Sequence, residues 1–251
     1  MNNIISSLEF GVLRLSLNRM AKRNALNVAL CQELTQALEE ASQNTAVRVV
    51  ILQSEPDVFS AGADMEETQK KPQKLDEALS ALFAALNRFP KTIIASVKGP
   101  CVAEGLLVVL YADLVYASQD ALFSFPATAL ARTPRFGAIS LFTKTGMSNL
   151  LSQKVLLSEP ISVEEAFELG WISGVTEPDA LDKVVAEKAA RLAVLPPKAV
   201  QLTKELLREK VRAEITTSWE THNALYQSQS SSPEAKETLQ AFLEGRKPSF
   251  K

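Results

Sequence analysis

Histidine and cysteine are scarce in this 251-residue chain, which contains one histidine and two cysteines. Two thiols, Cys31 and Cys101, cannot build a disulfide framework, and we expect both to be small buried side chains in a reducing compartment. The lone histidine, His222, has no cluster of cysteines or carboxylates beside it, so we predict no metal site. Because Trp219 precedes it and Tyr226 follows it, both at helical spacing, we expect His222 to pack between helices.

An excess of one charge is also lacking, since 27 lysines and arginines face 29 aspartates and glutamates and leave a net charge of −2. This balance gives no electrostatic support for a nucleic-acid or anionic-membrane partner. The densest apolar run, residues 106–111, is far too short to cross a bilayer. The first residues lack the basic and apolar pattern of a signal peptide. We therefore expect a cytoplasmic protein with no nucleic-acid and no membrane partner.

The chain does contain a regular alternation of apolar strands and amphipathic helices, which predicts an α/β fold. Strands are predicted at residues 4–10, 12–17, 47–53, 92–97 and 114–117. Helices are predicted at residues 28–44, 76–88, 105–111, 139–157, 163–169, 181–195, 198–209, 212–226 and 233–244. The polar residues 65–74 are predicted to form a loop. Because Pro196-Pro197 interrupts the helical pattern, we predict a core of residues 1–195 with the ligand site and a C-terminal helical region of residues 196–251.

Two turns of small residues carry the candidate chemistry. Residues 59–64 read Phe-Ser-Ala-Gly-Ala-Asp, and residues 99–105 read Gly-Pro-Cys-Val-Ala-Glu-Gly before an apolar helix. Small residues let the backbone approach a ligand, and free N–H groups at a helix start attract an oxyanion. Either turn alone is also typical of an ordinary connection between a strand and a helix. Their occurrence about 40 residues apart, each after a strand, favours one shared oxyanion site.

These turns, with Leu-Asn-Arg at 17–19, Asn-Ala-Leu-Asn at 24–27 and Asp-Leu-Val-Tyr-Ala at 113–117, resemble the enoyl-CoA hydratase/isomerase (crotonase) superfamily from residue 4 to residue 250. Leu-Pro-Pro at 195–197 and Lys-Glu-Leu-Leu-Arg at 204–208 look most like 3,2-enoyl-CoA isomerases of the peroxisomal type. The resemblance implies a spiral of β-β-α units with a C-terminal helical region that packs into homotrimers or hexamers. It also implies an acyl-CoA substrate, with coenzyme A entering as part of that substrate and no permanently bound cofactor.

The same resemblance implies the residues of the site. The oxyanion hole would consist of the backbone N–H groups of Ala63 and Glu104. Phe242 would close over coenzyme A, either from the same subunit or from its neighbour. The residues expected to line the coenzyme A site are Lys22, Arg23, Asn24, Ala25, Leu26, Ala61, Gly62, Asp64 and Phe242. Lys98 is a further candidate for the phosphates, and Glu66 stands where the family often has a lysine.

The departures from the family concern proton transfer. The positions that match the two glutamates of hydratases are Leu107 and Ala127, and the position that matches the glutamate of isomerases is Arg135. Aliphatic side chains cannot move a proton, and a guanidinium is a poor base. The Glu104 side chain is then either a displaced base or a residue that faces solvent or pairs with Arg132 or Arg135. The two arginines either bind the carboxylate of a carboxylated acyl group or belong to the surface or an ion pair.

Three hypotheses about function follow. The first is an acyl-CoA enzyme with a backbone oxyanion hole, most like a 3,2-enoyl-CoA isomerase. The second is a relative that binds acyl-CoA without catalysis. The third is an enzyme of different chemistry, such as a decarboxylase of a carboxylated acyl-CoA.

Overall fold

The computed structural model describes residues 2–54 and 58–250. A six-stranded sheet forms the centre, in the order β1-β2-β3-β4-β6-β9, and a second sheet has the order β5-β7-β8. Strand β1 is antiparallel to β2, and all other neighbours in the large sheet are parallel. The strands are β1 (Ile4–Glu9), β2 (Val12–Leu17), β3 (Val49–Ser54), β4 (Thr92–Val97), β5 (Pro100–Val102), β6 (Leu114–Ser118), β7 (Leu122–Ser124), β8 (Ile161–Ser162) and β9 (Gly174–Thr176).

Helices cover both faces of the large sheet, which confirms the predicted α/β class. They are α1 (Val28–Gln43), α2 (Met65–Lys70), α3 (Pro72–Arg88), α4 (Glu104–Leu110), α5 (Ala138–Phe142), α6 (Asn149–Leu156), α7 (Val163–Glu168), α8 (Leu181–Ala193), α9 (Pro197–Ser230) and α10 (Pro233–Glu244). Strand β3 shows why two layers are needed: Val50 and Leu52 face the main core, whereas Val49 and Ile51 face the cluster formed with α8. A strand buried on both faces is apolar throughout, as this one is.

Several boundaries differ from the prediction. The polar residues 65–74 are mostly helical, because Asp64 caps α2 by accepting hydrogen bonds from the N–H groups of Glu66 and Glu67. A single helix replaces the two predicted for 198–209 and 212–226, since no glycine or proline separates them. The predicted helix 139–157 is broken into α5 and α6 around Gly146, whose φ is +116°. Short strands β7 to β9 follow residue 118, where almost no strand was expected.

The C-terminal helix α9 is attached to the core by buried charges. Lys204 lies 2.7 Å from Asp113 and donates a hydrogen bond to the carbonyl of Lys91 at 2.6 Å. Asp113 in turn accepts a hydrogen bond from the N–H of Ile93. Farther along, α9 exposes Leu206 and Leu207. The division at residue 195 and the trimeric or hexameric assembly stay predictions.

Within the described residues, every helix is too short or too polar to pass through a lipid bilayer.

Candidate active site

The first loop of the site, residues 58–64, is held by backbone hydrogen bonds to the turn that precedes α1. Leu26 donates its N–H to the carbonyl of Gly62 at 2.7 Å and accepts at its own carbonyl from the N–H of Asp64 at 2.9 Å. Because consecutive peptide groups of an extended chain point in opposite directions, the N–H of Ala63 faces away from Leu26 and into the cavity. Gly62 has a φ of +86°, which suits a residue without a Cβ atom.

The second loop, residues 99–104, ends in a strained turn. Ala103 has φ 50° and ψ −118°, a conformation that L-residues rarely adopt, and it leads directly into α4. Among the residues that the structure describes, no acceptor bonds the N–H of Glu104, the first residue of that helix. A Cβ atom on Gly105 would lie 2.6 Å from the Cβ of Ser60. The two loops therefore pack directly on each other and present the N–H groups of Ala63 and Glu104 to one cavity. We call residues 58–64 and 99–104 the hole loops.

The Glu104 carboxylate lies against the first of the two hole loops. Its Oε2 accepts a hydrogen bond from the N–H of Ala63 at 3.1 Å. The side chain is half-buried, and it forms no ion pair with Arg132 or Arg135 in the described part of the chain. In the structure the side chain therefore contacts the N–H of Ala63 and neither arginine, and its role in catalysis stays a prediction. A carboxylate oxygen thus occupies the acceptor position in front of the Ala63 N–H.

A mostly apolar cavity of about 290 Å³ surrounds the hole. Leu107, Ala127 and Arg135, the three positions where the resemblance implies glutamates, all line it together with Ala63 and Glu104. Glu104 is the one carboxylate among its described lining residues. Because a proton must be moved by a group near the substrate, Glu104 is the cavity residue with the chemistry of a general base.

Arg135 is an ion-paired residue of the cavity wall. Its guanidinium pairs with Asp76 of α3 and stacks on the rings of Phe136 and Tyr226, at 4.0 and 3.6 Å from their centroids. Burial lowers the pKa of Arg135 to about 10, so the side chain stays protonated at neutral pH and is no base. Of the two interpretations of this residue, the ion pair is the one that the geometry shows.

The residues expected to contact coenzyme A fall into three groups. Ala61 and Phe242 line the cavity, and Phe242 does so within its own chain. Lys22 and Arg23 lie exposed on the turn before α1, where Lys22 pairs with Glu66 at 3.3 Å. The others are buried in the protein and serve as support: Asn24, Ala25, Leu26, Gly62 and Asp64.

Two of these buried side chains hold neighbouring parts of the chain in place. Asn24 donates to the carbonyl of Val58, and Asp64 pairs with Arg19 at 2.7 Å. Lys98 pairs with Asp182 at the surface. Contacts of all these residues with coenzyme A stay predictions.

The sequence did not indicate Asp76, Thr133 or Tyr226 as site residues, although all three line the cavities beside the hole. Tyr226 was expected to pack α9 with His222, and its helical spacing alone could not show that its hydroxyl reaches Arg132 at 2.6 Å. Asp76 carries no local signal, because its partner Arg135 lies 59 residues away in the chain.

Metal and thiol chemistry have no candidate group in the described residues. They contain no set of three or more His, Cys, Asp or Glu side chains arranged to hold a metal ion. Both cysteines are buried, and burial raises the pKa of Cys31 to about 12 and that of Cys101 well above its usual value. The thiols are therefore protonated and are not nucleophiles.

Comparisons with known proteins identify the family of this chain. The sequence profile of the family described as Enoyl-CoA hydratase/isomerase matches residues 8–251. The chain is 31% identical to 2,3-dehydroadipyl-CoA hydratase of Escherichia coli (strain K12), over 100% of this chain and 99% of that protein.

Solved structures of similar proteins point to the same family. An enoyl-CoA hydratase/isomerase from Pseudoalteromonas atlantica T6c superposes with a TM-score of 0.92 at 28% identity, covering 99% of this chain and all of the other. Methylmalonyl-CoA decarboxylase in complex with 2-nitronate-propionyl-CoA superposes with a TM-score of 0.89 at 25% identity, covering 99% and 98%. The crotonase-type fold is thereby confirmed, and the chain belongs to the enoyl-CoA hydratase/isomerase family.

Proposed function

We propose that this protein moves the double bond of an acyl-CoA thioester, as a 3,2-enoyl-CoA isomerase does, with the N–H groups of Ala63 and Glu104 holding the thioester oxygen. The observation that carries the proposal is the hydrogen bond from Ala63 to the Glu104 carboxylate. It supports a donor that is already aimed at an anionic oxygen inside the cavity. Such a preorganised donor is worth about 3 kcal/mol or more in a transition state that develops an oxyanion.

Glu104 has a second part in the proposed reaction. When the thioester oxygen enters the hole, it displaces the carboxylate from Ala63, and the side chain then lies beside the acyl carbons. There it takes a proton from C2, so that the C–H electrons form a dienolate whose negative oxygen is held by the two N–H groups. The protonated Glu104 returns the proton to C4, and the double bond ends between C2 and C3. Proton transfer of this kind contributes a factor of about 100 to 10,000.

The test is turnover of 3-enoyl-CoA by Glu104→Gln, with Glu187→Gln as the matched control. Glu187 is an exposed residue of α8, far from the cavity lining. We expect Glu104→Gln to lose about 100- to 10,000-fold in kcat while it still binds a saturated acyl-CoA, and the control to match the wild type. Equal kcat values for wild type and Glu104→Gln would overturn the isomerase proposal.

A decarboxylase of a carboxylated acyl-CoA is the second candidate. It is favoured by the similarity to methylmalonyl-CoA decarboxylase and by a cavity that holds a single carboxylate among its described residues. In this reaction CO₂ leaves from C2, its bonding electrons form the enolate, and the hole stabilises the oxygen without a strong base. Release of CO₂ from a 2-carboxyacyl-CoA, with no turnover of 3-enoyl-CoA or 2-enoyl-CoA, would select it. Binding of all these esters without turnover would instead select a non-catalytic acyl-CoA-binding protein.

A further inference from the structure

The cavity around the hole adjoins a second one of about 650 Å³. The two share part of their walls, including Ala63, Arg132, Arg135 and Tyr226, but the second lacks Glu104 and is bordered by polar residues of α3 and α9. An acyl chain whose thioester oxygen lies at Ala63 is therefore in a space that Arg132 and Arg135 also line. Both arginines come from the same short stretch, in which Ala131 and Phe136 have positive φ values of 49° and 53°.

Arg132 differs from its neighbour in having only neutral partners. Its Nη1 donates to the hydroxyl of Tyr226 at 2.6 Å and to Oγ of Ser230 at 2.9 Å. No Asp or Glu oxygen lies within 4.0 Å of the Arg132 guanidinium in the described ranges 2–54 and 58–250. Its Nε and Nη2 likewise have no acceptor there. Arg135, by contrast, already has its charge balanced by Asp76.

Arg135 still contributes an unpartnered N–H group to this part of the structure. The Arg135 side chain is only 6% exposed, and its Nε has no acceptor within the described protein. The hydroxyl of Thr133, between the two arginines, is also buried without a partner in the same part of the chain. Buried polar groups without partners are rare in folded proteins and indicate that a ligand or water completes them.

We infer that Arg132 binds a carboxylate carried by the acyl chain, so that the enzyme selects acyl-CoA thioesters with a negatively charged acyl group. The inference rests on the proposed acyl-CoA site and names its substrate class. A guanidinium donates two parallel hydrogen bonds to a carboxylate, and such charge-assisted bonds are about twice as strong as neutral ones. A neutral alkyl chain in the same space displaces water from Arg132 without forming a hydrogen bond to it. This desolvation is unfavourable, so the site also disfavours binding of neutral esters.

The experiment measures Kd by isothermal titration calorimetry for saturated CoA esters of equal length, with and without a terminal carboxylate. The pairs are glutaryl- and valeryl-CoA, adipyl- and hexanoyl-CoA, and pimeloyl- and heptanoyl-CoA. For at least one pair we expect the carboxylated ester to bind the wild type about tenfold to a hundredfold more tightly. Arg132→Gln should bring that ratio close to one, whereas Arg191→Gln, an exposed arginine of α8, should leave it unchanged.

Other outcomes distinguish this inference from the proposed function. A wild-type ratio near one for all three pairs overturns the inference and needs no variant, while the acyl-CoA site itself stands. An equal loss of affinity for both members of a pair in Arg132→Gln would mean that Arg132 contacts the coenzyme A moiety, which also overturns the inference. If neither kind of ester binds the wild type, the proposed function fails and this inference fails with it.

Discussion

The hole loops and the cavity wall of residues 125–136, here called the wall segment, face the same space with different parts of the chain. The hole loops present backbone N–H groups, whose direction depends on φ, ψ and close packing. The wall segment presents side chains, among them Ala127, Arg132 and Arg135. A backbone donor survives most substitutions, whereas side-chain chemistry changes with a single one. Backbone donors can therefore persist while the side chains of the wall change, and here Leu107, Ala127 and Arg135 stand where the resemblance implies acids.

Of the variants that compare these two regions, Gly62→Ala is expected to have the largest effect, because it changes the backbone of the hole loops. A Cβ atom there would lie 3.0 Å from both the Cβ of Ala103 and the carbonyl oxygen of Val102. The neighbouring atoms have to shift by a few tenths of an ångström and the backbone is strained at φ +86°, so the two donors lose their alignment. We expect turnover to fall by about 100- to 1,000-fold, which is the effect of removing one donor from an oxyanion hole. The measurement is kcat/KM with the acyl-CoA that proves to be the substrate.

Gly245→Ala is the matched control for this experiment. Gly245 also has a positive φ, +66°, but a Cβ atom there meets nothing within 4 Å. Both variants carry the same kind of backbone strain, so the difference between them isolates the contact between the hole loops. Equal activity in the two variants would show that the close approach of the loops does not set the geometry of the hole.

The fold was largely predictable because its strongest signals are local. The strands β3 and β4 are continuous apolar runs, and α1 and α3 repeat apolar residues at helical spacing, so their type follows from periodicity alone. The errors occurred where capping or length decided the outcome. Asp64 turns the polar residues 65–70 into a helix, and the absence of a helix breaker makes α9 one element of 34 residues. The proline pair at 196–197 coincides with the start of α9, because proline fits the first turn of a helix.

The site was predictable only in its backbone part. The small residues at 59–64 and 99–105 indicated two turns that bring N–H groups together, and the structure places them side by side. The position of the Glu104 carboxylate could not be read from the sequence, because it depends on a side-chain rotamer and on a partner 41 residues away. The distinction between Arg132 and Arg135 was hidden for the same reason: Asp76, Tyr226 and Ser230 reach them from distant helices.

A smaller effect is expected from Asp76→Asn, which removes the charged partner of Arg135 in the wall segment. The pair is largely buried, with 6% exposure for Arg135 and 28% for Asp76, and Asp76 also accepts from Gln227 at 3.0 Å. Loss of the charge leaves a buried guanidinium without compensation, so the free energy of unfolding should fall by about 2 kcal/mol. Chemical denaturation measures it. Asp182→Asn, at the exposed pair with Lys98, should cost about 0.5 kcal/mol or less, and equal losses would contradict the structural role of the Arg135 pair.

The smallest effects are expected from removing one hydroxyl in each region. The two variants should differ in the sign of the change in the free energy of unfolding. In the hole loops, Ser60 donates to the carbonyl of Asn24 at 2.8 Å and accepts from the N–H of Gly62 at 3.2 Å. Ser60→Ala leaves both backbone groups buried without that partner, so the free energy of unfolding should fall by about 1 to 2 kcal/mol.

In the wall segment, the Thr133 hydroxyl is buried with no partner in the described residues. Thr133→Val keeps the shape of the side chain and removes a desolvated hydroxyl. In the absence of ligand, the free energy of unfolding should therefore either change by less than about 0.5 kcal/mol or increase by up to about 1 kcal/mol. Thermal and denaturant unfolding of both variants test the pair. A loss of stability in Thr133→Val as large as that in Ser60→Ala would mean that the wall segment is as fully hydrogen-bonded as the hole loops. In that case its polar groups would have no bonding capacity left for a ligand.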